Sequence, residues 1–172
     1  MTSHTLILGA PGSGKSFLAA CAKERGFLAY DADYDVPGLG VWKDKEGKVV
    51  SFPTIVTVEW LQTHAFVWDV EVLAAFLRAH ESVALFGIAS NAFALSGMFD
   101  RVFYLSVPES VLRERLLHSI DRKNPRGKSE AEVQQIWHDI ERDHLLQVRE
   151  KGITCIDGDR NAEEVVANIF HA

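Results

Sequence analysis

Short apolar runs alternate with amphipathic stretches from one end of the chain to the other, which predicts an α/β domain with a mostly parallel sheet. Thr5 to Leu8 is the first apolar run and ends at Gly9. After a Gly-rich turn, Phe17, Leu18, Ala19 and Ala20 belong to a helix that Gly26 closes. Phe27 to Tyr30 reads as a second strand, stopping at Asp31 and Asp33 with Asp35 just beyond. Val83 to Phe86, Val102 to Leu105 and Ile153 to Ile156 complete a set of five. Each run gives way to polar or glycine-containing sequence, so the functional edge is expected at the strand C-termini.

The helices between them carry start signals. Pro108 opens one on which Val111, Leu112, Arg115 and Leu116 share a side, and Ser129 with Glu132 forms a capping box for a long helix through about Glu150. Asn161 with Glu164 repeats that signal for a last helix bearing Val165, Val166 and Ile169. The stretch from Val36 to Glu81 is less regular, with Gly38, Gly40, a turn at Lys45 to Lys48, three of the four tryptophans and a closing helix from about Asp69 to Ala79. It reads as an insertion on the binding edge of the sheet.

Composition narrows the class. A chain of 172 residues predicts one domain, and 47% hydrophobic with 24% charged residues excludes disorder. A formal charge of -6 argues against duplex nucleic acid as a partner. Cys21 and Cys155 match no metal or redox spacing and are expected to be buried thiols. The run from Thr5 to Ser13 is too short and too interrupted to span a bilayer, so no membrane partner and a cytoplasmic location are expected.

Gly9-Ala10-Pro11-Gly12-Ser13-Gly14-Lys15-Ser16 satisfies the phosphate-loop pattern G-x-x-x-x-G-K-[ST] without a mismatch. Its glycines let successive backbone N–H groups turn inward around a phosphate chain at a helix N-terminus. Lys15 adds a point charge for the β- and γ-phosphates, and the Ser16 hydroxyl offers a Mg²⁺ ligand. A strand before the motif and a helix after it meet its structural requirement. The dinucleotide fingerprint fails where Phe17 stands in place of a third glycine, and the chain has no Asn-Lys-x-Asp run for guanine. ATP is therefore the expected nucleotide.

The phosphate loop, the acidic pair after the second strand and a late arginine-rich stretch resemble the small P-loop kinases, which include nucleoside monophosphate kinases, shikimate kinase and gluconate kinase. The string Asp31-x-Asp33, Trp60, Trp68-Asp69, Gly87-x-x-x-Asn91 and Gly127-Lys128 is similar, more narrowly, to bacterial ATP-binding proteins described as AAA-family or adenylate-kinase-like. The resemblance implies a three-layer α/β/α P-loop domain with a five-stranded sheet, an acceptor-site insertion at 36–81, a lid at 119–130, ATP and Mg²⁺ as cofactors, and a monomer or homodimer. It also implies that Asp33 meets the acceptor hydroxyl and that Asp31 helps to hold Mg²⁺. In an extended chain, residues two apart share a face, so both carboxylates can address one metal-phosphate centre. After the third strand, Gly87-Ile88-Ala89-Ser90-Asn91 supplies no carboxylate of the kind an ordinary P-loop ATPase places there. Asn91 either orients a phosphate or acceptor group or caps the next turn.

From Arg113 to Lys128 an otherwise acidic chain turns locally basic, with Arg113, Arg115, Arg122, Lys123, Arg126 and Lys128. The resemblance makes this a lid, with Arg115 beside the adenine and either Arg122 or Arg126 clamping phosphate, because the register departs from the family's Arg-x-x-x-Arg pattern. Arg160, after the last strand, is implied on the adenine, or else belongs to a plain turn. Trp42, Trp60 and Trp68 with His64 and Phe66 read as a satellite core or as stacking faces for an acceptor. Three functions stay open: a kinase acting on a nucleotide or hydroxylated metabolite, a P-loop ATPase, and a nucleotide-binding module without turnover.

Overall fold

The computed structural model describes residues 3–55, 57–118 and 129–171. Its centre is a five-stranded parallel sheet made of β1 (Ser3–Leu8), β2 (Ala29–Asp31), β6 (Ser82–Gly87), β7 (Arg101–Ser106) and β8 (Thr154–Asp157). The strand order is β2-β6-β1-β7-β8. β1 is central, with the chain's later strands on either side of it. Its C-terminal end is a switch point, where such sheets leave a crevice.

Burial follows the two-residue alternation of the strands. Leu6 and Leu8 face one side, in a core with Leu85, Trp68, Leu73 and Leu77. Ile7 faces the other, with Phe86, Leu105, Leu18, Ala22, Val165 and Ile169. The first side is covered by α3 (Val70–Arg78), the second by α1 (Lys15–Glu24) and α7 (Ala162–Phe170). Covering both faces with helices is what lets the inner strands β1, β6 and β7 carry runs of buried apolar residues. This is the expected α/β/α layering. A third cluster joins Ala10 of the Gly-rich turn to Leu112 and Leu116 of α4 (Glu109–His118) and to Val133 and Ile136 of α5 (Glu130–Asp139).

Helix ends match the chemistry of their caps. Ser129 and Glu132 form the reciprocal capping box of α5. Gly26, at φ +84, donates to the Lys23 carbonyl and stops α1. Asn161 caps α7 by accepting from the Glu163 amide. The helix expected to run from Ser129 through about Glu150 is helical throughout but holds a π turn at Ile140–His144 between α5 and α6 (Leu145–Glu150). In an unbroken α-helix Val148 would point roughly 80° away from Ile140. One wide turn brings both into the core, at 7% and 6% exposure.

The insertion holds a second sheet that the sequence pattern does not announce. β3 (Gly40–Lys43), β4 (Val49–Val50) and β5 (Ala65–Trp68) pair antiparallel in the order β4-β3-β5. The expected turn closes the β3–β4 hairpin, with the Asp44 carboxylate accepting from the Glu46 and Lys48 amides and Gly47 at φ +81. Trp42, Phe52, Trp60 and Phe66 pack on one another at centroid distances of 4.7 to 5.4 Å. His64 stacks on Trp60 at 4.3 Å, on the short helix α2 (Val58–Thr63) and its C-cap. These rings form a half-buried cluster that Phe66 joins to the main core. Trp68 instead belongs to the main core.

Two local expectations are corrected. β2 starts at Ala29 because Phe27 leaves the strand line to stack on Phe170 at 4.0 Å. Cys155 is exposed on β8, an edge strand of the sheet, and Cys21 is half-buried on α1. Among the described residues no helix is long and apolar enough to cross a membrane.

Candidate active site

The C-terminal ends of β1, β2 and β6 bring together the phosphate loop, the acidic turn and Gly87. In the loop, Gly12 and Gly14 adopt φ of +85° and +101°, the left-handed region that other residues avoid. The Ser13 amide and the Lys15 ammonium both donate to the Ala10 carbonyl, at 3.1 and 2.9 Å. Close approach also fixes Gly9, since a Cβ there would lie 2.6 Å from the buried Ser13 Oγ. That hydroxyl and the Trp68 indole N–H are buried with no hydrogen-bond partner among the described residues.

Arg115 of α4 reaches across to this loop. Its guanidinium donates to the Ser13 carbonyl at 3.2 Å, to the Gly158 carbonyl at 3.3 Å and to Asp159 at 3.4 Å. It therefore joins the phosphate loop to the turn after β8. Arg160, on that same turn, is held by Asp157 of β8 at 3.4 Å. Arg113 is tied to Glu109 and Glu130, an ion-paired link between α4 and α5. Arg122 and Arg126, with the rest of the basic stretch through Lys128, lie outside the described residues.

The acidic pair is placed by a turn. β2 ends at Asp31, and the residues from Ala32 to Asp35 bend back, so Asp31 and Asp33 are not two positions along one strand. Asp31 Oδ1 accepts from the Asp33 amide at 2.9 Å, and Asp35 Oδ2 accepts from the Asp31 amide and from Lys23 Nζ, each at 2.6 Å. Asp31 is buried, whereas solvent reaches the surface of Asp33. Protein crowding still strips much of the water from the Asp33 carboxylate. That desolvation, and then the charge of Asp31, raise its pKa to about 6, against a smaller downward pull from Lys15. Lys15, Asp31 and Asp33 thus share one electrostatic neighbourhood.

Asn91 is a structural clamp. Its Oδ1 accepts from the Trp68 amide and its Nδ2 donates to the Trp68 carbonyl, both at 2.9 Å. The Ser90 amide adds a bond to the Phe66 carbonyl at 2.8 Å. Together they dock β5 onto the loop after β6, and the Trp68 ring then lies against Gly87, where an added Cβ would meet it at 2.7 Å. Asn91→Ala leaves two partly buried main-chain groups unpaired. A loss of about 2 to 4 kcal/mol is expected, readable as a lower melting temperature or urea midpoint.

Main-chain amides at a helix N-terminus fit a polyphosphate, because α1 begins at Lys15 directly behind the loop. Ser16, exposed on the first turn, and the Asp31 carboxylate offer the hard oxygen ligands that Mg²⁺ takes. Among the described residues no group of three or more His, Cys, Asp or Glu forms a metal cage. One open groove of about 630 Å³ lies between β8 and α7, and another of about 360 Å³ lies beside Trp68 and Asn91.

The arrangement defines a P-loop domain of three-layer α/β/α form. No family model matches the sequence, and no curated protein does. Solved structures share the fold. One is a shikimate kinase from Acinetobacter baumannii in complex with shikimate, at 18% identity and a TM-score of 0.63 over 99% of this chain and 92% of that one. A gluconokinase from Sinorhizobium meliloti 1021 aligns at 19% identity and a TM-score of 0.53, covering 99% of this chain and 90% of that one. A deoxyadenosine kinase from M. mycoides with bound dATP aligns at 12% identity and 0.54, covering 99% and 98%. At such identities the likeness establishes that this chain has the fold of the small P-loop kinases.

Proposed function

We propose that this protein is a kinase that transfers the γ-phosphoryl group of ATP to a hydroxyl group of a small molecule. The observation that carries the proposal is the neighbourhood of Lys15, Asp31 and Asp33 at the end of the phosphate loop. The loop amides and Lys15 hold the β- and γ-phosphates, and Arg115 fixes the loop from behind by bridging Ser13 and Gly158. Asp33 orients the acceptor hydroxyl. As the acceptor oxygen bonds to the γ-phosphorus, the bond to the bridging oxygen of ADP breaks and the hydroxyl proton passes to the Asp33 carboxylate. Ser16 and Asp31 hold Mg²⁺, whose charge, when it is bound, offsets that of the phosphate oxygens.

A carboxylate with a pKa near 6 suits this role, since it is ionised at neutral pH yet basic enough to receive a proton. The shikimate bound in one comparison kinase is a small hydroxylated molecule, which supports an acceptor of that kind. A monomer or homodimer in the cytoplasm accords with this reading. Steady-state ADP release measured with and without a pool of small metabolites tests it. Release stimulated by the pool is expected. Release at the same rate without it would mean an ATPase, and binding without release would mean a module with no turnover.

A further inference from the structure

Asp35 has no part in the reading above, yet it is bonded to the acidic turn on one side and to the helix of the phosphate loop on the other. β2 is an edge strand of the sheet. The Ala32 amide turns inward to the Phe86 carbonyl of β6 at 2.8 Å, so by the two-residue alternation of a strand the Asp31 amide faces the open edge. The Asp35 carboxylate accepts from it there, at 2.6 Å. The Asp35 amide donates back to the Asp31 carbonyl at 2.8 Å. Both peptide planes that flank the Asp31 Cα are thereby fixed, and with them the direction in which its side chain leaves the backbone. That side chain passes the constraint on, because Asp31 Oδ1 accepts from the Asp33 amide at 2.9 Å.

The other partner of Asp35 is Lys23. Its ammonium donates to the same Asp35 oxygen at 2.6 Å and lies over the Tyr30 ring, 5.9 Å from the centroid. Lys23 stands seven residues after Ser16 on α1, which is two turns, so the two share a face of the helix about 10 Å apart. The helix between them is fixed in the core by Leu18, Ala19 and Ala22, in the cluster that also holds Ala29 of β2. At 44% and 28% exposure the Lys23–Asp35 ion pair adds little to stability. Its consequence is geometric, since it docks the acidic turn on the face of α1 whose first turn bears Ser16.

We propose that Asp35, anchored by Lys23, is a positioning residue for phosphoryl transfer: the pair holds the acidic turn to α1 and so sets where Asp31 and Asp33 stand relative to the phosphate loop. The inference rests on the kinase reading of the site. In that reading neither Lys23 nor Asp35 touches phosphate or acceptor.

Two measurements on the full-length chain test the pair: ADP release stimulated by the metabolite pool over a range of ATP concentrations, and calorimetric titration with ATP and Mg²⁺. Asp35→Ala should lower the pool-stimulated rate at saturating ATP by roughly 10- to 100-fold and Lys23→Met by roughly 3- to 10-fold, while KM and Kd for ATP stay within about twofold, because displaced carboxylates cost transfer and not nucleotide binding. The double variant should be no slower than Asp35→Ala, since Lys23 acts through Asp35. Two conservative variants keep the link. Lys23→Arg leaves a cation on Asp35 and Asp35→Asn leaves an acceptor for the Asp31 amide, so each should stay within about threefold of wild type. Arg25→Met removes an ion pair from the same end of α1 to Glu163 of α7, 2.8 Å long, and should leave the rate unchanged. An unchanged rate in Asp35→Ala or in Lys23→Met, or a loss that appears as weaker ATP binding at an unchanged rate, would overturn the inference alone. An equal loss in Arg25→Met would do the same, since it would mean a general loosening of α1. Release in the wild type that does not respond to the pool would overturn the kinase reading and the inference with it.

Discussion

Lys15→Ala is expected to lower turnover on the order of 10²- to 10³-fold and to weaken ATP binding at least tenfold, with little change in melting temperature. The Lys15 ammonium donates to the Ala10 carbonyl, a bond that the phosphates would replace on the proposed reading. Removing it withdraws a charge that matters most as negative charge gathers on the transferring group. A second effect identifies the position as well as the charge. Lys15 pulls the Asp33 pKa downward, so in the variant the Asp33 carboxyl should titrate at higher pH and the acid limb of any residual activity should move the same way. Titration calorimetry with ATP and turnover measured from pH 5 to 8 read both effects. Unchanged ATP binding would remove the residue from the phosphate site.

The second large effect is at Asp33. Asp33→Asn keeps the size of the side chain and its place in the turn but cannot accept the proton, so phosphoryl transfer should fall by about 10² to 10⁴ while binding of ATP with Mg²⁺ stays near normal. In the wild type, activity should rise through pH 6 and level off above it, since only the ionised carboxylate acts as base. Stability should run the other way. The folded-state pKa is raised from 3.8 to about 6, so ionising Asp33 costs folding energy. The cost is absent below the unfolded value and complete above about 6. Asp33→Asn should therefore melt higher than wild type at pH 7, and the gain should fade between pH 6 and pH 4. A variant that loses both transfer and stability at pH 7 would make Asp33 a structural turn residue.

What the sequence makes legible depends on how local the cause is. The phosphate loop can be read in full because its glycines answer a local backbone demand, and the left-handed angles at Gly12 and Gly14 meet it. The five strands of the main sheet are legible within a residue or two, since burial on both faces makes the inner three apolar runs. The β3-β4-β5 sheet is not, because strands of two to four residues carry no period. They are held by cross-strand rings such as Trp42 opposite Phe66. Asn91 reads as a ligand or a cap from its neighbours, yet its partner is Trp68, 23 positions away. Arg115 is expected beside the adenine, and its bonds to the Ser13 and Gly158 carbonyls, 102 and 43 positions distant, leave no local trace.

The most direct measurement of the account follows the phosphoryl group itself. The chain is incubated with a metabolite pool and ATP carrying ¹⁸O on its γ-phosphate, and the products are read by mass spectrometry, with Asp33→Asn alongside. The account predicts a small molecule that gains one labelled phosphoryl group in the presence of the wild type and not with the variant. Label found only in inorganic phosphate, in equal amount with and without the pool, would contradict it.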